Sequence, residues 1–271
     1  ERLQAEGFEV EHLPVGADGC VSVDRAAALL RDDTALVSLM LANNDLGTLQ
    51  PVAEVAALAH EKGALVHSDG VQALGKVPLN VADLGVDLLS LSAHKIYGPK
   101  GVGALYCRRG LRLEGLQYGG EQERGVRPGT ENVLGIIGFG CAATLAIVDL
   151  DQEAARLDAL RCRLEAALLA GVAGAWINGA QAKRLPNTIN ISLPQLKGEA
   201  AAINLDMRDV AVSTGAACSS ADGQPSHVLL AMGQSPDDAR HSLRLSLGRE
   251  TSVEIVDRVV ATILELVARL G

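Results

Sequence analysis

Lysine, histidine and serine stand close together in "SLSAHKIYGPKGVGALY" (residues 90–106), directly after an apolar run of strand length. Lys95 admits two readings there. One is a solvated loop lysine. The other is a Schiff-base lysine, whose amine must shed part of its water to act as nucleophile and base. Ser92 and His94 beside it are suited to an anion, and the glycines let the backbone approach closely. Asp69 closes the preceding run, "ALVHSD". It reads as a helix cap, or as a buried carboxylate that keeps a ring nitrogen protonated. Gln72 lies about one helical turn further on, in reach of the same ring. A carboxylate at one strand end and a lysine at the next are what pyridoxal 5′-phosphate (PLP) requires, because the acid maintains the ring as an electron sink.

Asn43 and Asn44 precede "DLG". They suit a plain turn, and Asn44 equally suits a cofactor oxygen or a substrate carboxylate. Cys218 sits among Gly, Ala and Ser in "STGAACSSADGQPS". It reads either as an inert small residue or as a thiol in a small, polar loop. Arg244, in "SLRLSLG", reads on its own as a strand arginine with a surface ion pair.

Alternating strand and helix patterns must position these groups. Apolar runs at residues 34–41, 64–69, 87–92 and 101–107 have strand length, and residues 52–63 have helical periodicity with a glycine stop. The order predicts an α/β fold with a mostly parallel sheet covered by helices on both faces. Polar clusters follow the first three strands, at the edge where open α/β sheets bind ligands. Helical patterns cover residues 133–150 and 152–169, and the first reads as a buried core helix. Beyond them the style changes: residues 187–193 alternate like a strand with one wet face, 199–207 form a helix, 210–226 run from strand to loop, 242–248 form a strand and 253–270 a closing amphipathic helix. The expected division is a large domain over residues 1–150 and a smaller α+β domain over 151–271. Residues 1–15 read as the end of a helix entering a strand.

The 271-residue chain carries a net charge of −9. That argues against a nucleic-acid surface, and no apolar run is long enough to span a membrane. Five cysteines, odd in number and without C-x-x-C spacing, argue against a disulfide framework or zinc site. A soluble, cytoplasmic protein is the expectation.

The chain resembles the NifS/IscS-type cysteine desulfurases, PLP enzymes of the class-V aminotransferase group with the type I fold. The resemblance rests on "LANNDLGTLQPV", "VHSDGVQALGKVPLNV", "GVDLLSLSAHKIYGPKGVGALY", "GGEQERGVRPGTENV", "RLPNTINIS", "VSTGAACSSADGQPSHVLLAMG" and "SLRLSLGRET", in order over nearly the whole chain. It implies roles. Lys95 holds the cofactor covalently and moves the substrate Cα proton. Asp69 pairs with the pyridinium nitrogen, and Gln72 bonds the phenolic oxygen. Asn44 lies near that oxygen and the substrate carboxylate. Ser92 and His94 hold the phosphate, and Thr130 reaches the phosphate in the partner subunit of a homodimer. Arg244 clamps the substrate carboxylate. Cys218 takes sulfur from L-cysteine as a persulfide, leaving L-alanine, and passes it to an acceptor such as an iron–sulfur scaffold. No metal site is implied, apart from a scaffold-bound cluster that Cys218 would share.

Three departures stand out. Asp45 replaces the family's usual Glu and Gly70 its usual Ala, and the family's phosphate loop and ring-stacking histidine have no counterpart in this sequence. His12, His60 and His67 fall outside that motif. The expectation is a fragment of a longer enzyme, with weak PLP binding and little turnover. Rival readings are a selenocysteine lyase, another class-V aminotransferase, and a non-catalytic sulfur carrier or partner-binding relic.

Overall fold

A computed structural model describes residues 2–214 and 224–270. Four strands form one sheet in chain order: β1 (Leu36–Met40), β2 (Leu65–Asp69), β3 (Leu88–Ser92) and β4 (Gly103–Cys107). The first three are parallel and β4 is antiparallel to β3. Gly103 permits that last pairing, because a Cβ there would lie 2.8 Å from the Leu91 carbonyl oxygen.

Short helices α1 (Arg2–Ala5) and α2 (Val23–Leu29) precede the sheet. The Ser22 hydroxyl caps α2 by accepting from the Arg25 amide. Helix α3 (Val52–Glu61) connects β1 to β2, and α4 (Val81–Leu84) precedes β3. Val52, Val55, Ala56 and Ala59 recur at helical spacing and bury one stripe of α3. That stripe packs with Leu39, Val66 and Leu89 on one face of the sheet. The opposite face behaves differently. Leu36, Ser38 and Leu105 are exposed on it, so among the described residues helices cover the sheet on one face rather than two.

Helices α5 (Val133–Val148) and α6 (Leu150–Gly171) meet at a 72° bend. The second sheet follows, with antiparallel β5 (Trp176–Ile177), β6 (Thr188–Ser192) and β7 (Ser242–Ser246). Helices α7 (Gly198–Asp206), α8 (His227–Ala231), α9 (Pro236–Arg240) and α10 (Val253–Leu270) complete the chain. Leu164 and Leu168 of α6 and Ile263 and Leu266 of α10 join Ile189 and Leu243 in one core. The stretch before β6 returns to the first sheet, where the Leu49 amide donates to the Lys183 carbonyl and the Leu185 amide to that of Gly47, both at 2.8 Å.

Several expectations need correction. Strand β6 has no wet face, since all five residues are buried. Its polar side chains are satisfied internally: the Asn178 amide donates to Asn190 Oδ1 at 2.7 Å and to Ser192 Oγ at 3.0 Å. Helix α5 is no core helix, because Leu134, Ile137, Ile147 and Val148 are exposed. Residues 210–214 contain an isolated bridge between Ser213 and Arg244 rather than a strand. Residues 6–15 likewise form no strand, only a bridge from Val15 to Val21.

Candidate active site

The C-terminal edge of the parallel strands collects the chemistry. Register pairs Met40 with Asp69 and Asp69 with Ser90, so the chain leaves β1 toward Asn43 and Asn44, β2 at Asp69 and β3 at Ser92, all on one edge.

Asp69 caps the turns after β2, because its Oδ1 accepts from the Val71 amide at 2.9 Å. It thus closes a turn and does not cap a helix, and Oδ2 has no bonded partner among the described residues. Residues 71–76 form successive turns rather than a regular helix, and they bring Gln72 and Lys76 together. The Lys76 ammonium donates to the Gln72 carbonyl at 2.9 Å and to its Oε1 at 3.1 Å. Burial, with the nearby Lys95 charge adding to it, lowers the Lys76 pKa to about 8.

Lys95 lies in a 3-10 turn, Ala93–Ile96, that β3 feeds directly. Ala93 and Ile96 are buried and anchor the turn against Phe139 and Ala146 of α5, which leaves His94 and Lys95 exposed. Ser92 Oγ and His94 Nδ1 share a hydrogen bond at 2.8 Å, so the two groups assigned to the phosphate already form one polar pair. Tyr97 follows with a positive φ of 64°. Its hydroxyl accepts from the Arg249 amide at 2.9 Å, and the Arg249 guanidinium sits 5.7 Å above its ring. The lysine turn is thereby tied to the end of β7. A cleft here is lined by Lys76, Lys95 and Tyr97 together with Glu153, Asn187 and Arg249.

Arg244 on β7 is half-buried rather than at the surface. Its Nη1 donates to the Asn44 carbonyl at 3.0 Å, which brings the two residues assigned to the substrate carboxylate together. The turn that carries Asn44 is closed by Asn43, whose Oδ1 accepts from the amides of Asp45 and Leu46, both at 2.9 Å. Thr130 is exposed in the loop before α5, away from these groups in sequence and with no side-chain bond among the described residues. Cys218 lies outside the described residues.

His67 was set aside as a ring-stacking residue, and the structure gives it other partners. It bridges Ser38 and Ser90 at 2.8 and 2.9 Å across three strands, on the open face of the sheet that Asp69 shares. Burial lowers its pKa, with the Asp69 charge acting in the opposite sense.

The sequence matches the class-V aminotransferase family over residues 1–259. It is 45% identical to cysteine desulfurase IscS of Clostridium botulinum over 267 residues, covering 98% of this chain and 67% of that one. Identity to IscS of an Anaeromyxobacter species is 49% over 270 residues, covering 99% of this chain and 66% of the relative. The chain therefore spans about two thirds of the length of these curated relatives. This chain belongs to the class-V aminotransferase family, in its cysteine desulfurase group. A solved NifS-like protein superposes with a TM-score of 0.91 at 38% identity, covering 99% of this chain and 71% of that one. A structure of SspA in complex with cysteine superposes with a TM-score of 0.75 at 31% identity, covering 91% and 68%.

Members of this family use PLP, and the donor set of this desulfurase fits that cofactor. Asp69 retains a carboxylate oxygen for a ring nitrogen. Ser92 and His94 offer a hydroxyl and an imidazole for a phosphate. Lys95 is an exposed primary amine beside them. Sequence pattern does not single out Lys76 or Asp45, which the structure bonds to Gln72 and to Asn190 and Ser226. Asp45 was noticed only as a departure from the family pattern.

Proposed function

We propose that this chain converts L-cysteine to L-alanine, holds the released sulfur as a persulfide on Cys218, and passes it to a protein acceptor such as an iron–sulfur scaffold. The observation that carries the reading is the convergence of Asp69, Lys95 and the Arg244–Asn44 pair at one sheet edge, in a chain 45% identical to named cysteine desulfurases. The cysteine-bound SspA neighbour supports L-cysteine as the substrate class.

PLP, when bound, would withdraw electrons from the substrate Cα. The chain's own residues do the rest. Arg244 offers its planar fork to the substrate carboxylate, already braced through Asn44. Asp69 keeps a negative charge where a ring nitrogen needs a proton. Lys95 accepts the Cα proton and returns one. The Cys218 thiolate attacks the substrate sulfur: an S–S bond forms, the carbon–sulfur bond breaks, and the electron pair leaves with carbon, which takes up a proton. Thiol plus cysteine thus becomes persulfide plus alanine, with no outside oxidant.

We further propose a cytoplasmic homodimer, with residues 1–150 as the cofactor-binding part and 151–271 carrying the cysteine. Support for the dimer is the exposed apolar face of α5 and the outward position of Thr130.

The test is alanine release from L-cysteine with PLP and a thiol reductant. Activity lost in both Lys95→Ala and Cys218→Ser supports the reading. Alanine formation that survives Cys218→Ser overturns the persulfide step.

A further inference from the structure

The family resemblance gives Gln72 an N–H bond to the cofactor's phenolic oxygen, yet the two ends of a glutamine amide have nearly the same size and shape. One end accepts and the other donates. Only a neighbour of fixed polarity decides which end faces the site. Lys76 is such a neighbour. A lysine ammonium has three donors and no acceptor, so the Gln72 atom 3.1 Å from Nζ must be the oxygen. The second Lys76 bond, to the Gln72 carbonyl at 2.9 Å, holds the ammonium against the same residue's backbone. The amide is thereby locked with Oε1 turned toward Lys76, and Nε2 has no partner among the described residues.

We propose that Lys76 is a positioning residue of the cofactor site: it fixes the Gln72 amide so that its N–H edge is the one presented to an anionic oxygen. This inference rests on the PLP reading above and deepens it. Lys76 does not touch the reacting atoms. It acts through Gln72, and it adds a positive charge on the wall that also carries Lys95.

The charge makes the lock sensitive to pH. Lys76 shares its cleft with Lys95 and Tyr97 from the lysine turn, Glu153 from α6 and Arg249 beyond β7. Burial and Lys95 bring its pKa to about 8. Below that pH the ammonium only donates and Gln72 is held. Above it the neutral amine gains a lone pair, and the amide is free to turn its oxygen toward the cofactor side.

The experiment uses the full chain with PLP added. Wild type, Lys76→Met, Lys76→Arg, Gln72→Leu and the Lys76→Met/Gln72→Leu double variant are compared for circular dichroism, PLP dissociation constant by fluorescence, and the pH titration of the bound cofactor's visible absorbance. Borohydride trapping followed by peptide mapping locates the cofactor's lysine. The expected result for Lys76→Met is a native dichroism spectrum, trapping still at Lys95, roughly tenfold weaker PLP binding and a displaced absorbance titration. Lys76→Arg, which keeps donors only, restores most of both. The double variant should bind PLP no more weakly than Gln72→Leu alone, because one residue acts through the other. A second readout needs no cofactor: competitive acetylation of the apo protein should give Lys76 a midpoint near the value of about 8. Unchanged PLP affinity and titration in Lys76→Met, or strictly additive losses in the double variant, would overturn the inference while leaving the desulfurase reading intact. Wild-type trapping at a lysine other than Lys95 would overturn both.

Discussion

The Ser226 hydroxyl donates to the Asp45 carboxylate at 2.5 Å, joining residues 181 positions apart in the chain. Asp45 has no exposed surface and also accepts from Asn190 Nδ2 at 3.0 Å. The same turn receives Arg244 through the Asn44 carbonyl, while the Arg244 backbone pairs with Ser213 on both sides. The residues that flank the cysteine-bearing stretch, Ser213 and Ser226, are thus bonded to the turn and strand that carry Asn44 and Arg244. Asp45→Asn keeps the size but replaces one acceptor with a donor, which must face the Asn190 amide or the Ser226 hydroxyl. The expected cost is about 1–3 kcal/mol in urea unfolding. A midpoint equal to wild type would show that the carboxylate is not holding these elements together.

Arg244 separates binding from cofactor capture. Its guanidinium is already committed through Nη1 to Asn44, which aims the rest of the fork. Lysine keeps the charge but neither the planar two-pronged fork nor the brace. Arg244→Lys is therefore expected to lower kcat/KM for L-cysteine at least tenfold, mainly through KM, with PLP absorbance unchanged. Loss of bound PLP in this variant would instead make Arg244 part of the cofactor grip.

Much of this architecture is legible because local pattern and burial agree. The strand ends at Asp69 and Ser92 follow from apolar runs that stop at polar residues, and α3 follows from its 3.6-residue stripe. The failures share one cause: the deciding partner lies far away in the chain. "NTINIS" alternates like a half-wet strand, and only Asn178 and Asp45 reveal how Asn190 and Ser192 are paid for inside. "VLGIIGFGCAATLAIV" is apolar all round and reads as core, yet much of its apolar surface has no neighbour among the described residues. Nothing in the sequence around Lys76 marks it, since the desolvation that lowers its pKa comes from packing rather than from adjacent residues.

Asp87 supplies a pH test of the first sheet. It is buried, and burial alone would raise its pKa. His60, the Val66 amide and Arg108 together outweigh that and hold it below the ordinary aspartate value. A depressed folded pKa contributes stability that is present above the unfolded pKa of about 4 and is lost as pH falls through the folded value. Unfolding free energy measured from pH 6 to pH 3 should therefore drop in wild type. In Asp87→Asn the drop should be shallower, from a lower starting point. Parallel curves for the two proteins would contradict this linkage.

The apolar face of α5 gives the last test. Leu134 is 84% exposed, Ile137 63% and Val148 73%. Side chains of this size left in water forgo about 1.5–3 kcal/mol each relative to full burial, and contiguous exposure on one helix marks a contact surface. The proposed occupant is a second copy, which would also give the exposed Thr130 a cofactor to reach. Ile137→Glu puts a charge into that contact without touching the packed side of α5, where Phe139 and Ala146 lie. Sedimentation at micromolar concentration should show a dimer for the wild type and a monomer for the variant, with the dichroism spectrum retained. The variant should also bind PLP more weakly, because each site would lose the partner's Thr130. A monomeric wild type, or a variant that still dimerises with full PLP affinity, would remove α5 from the interface.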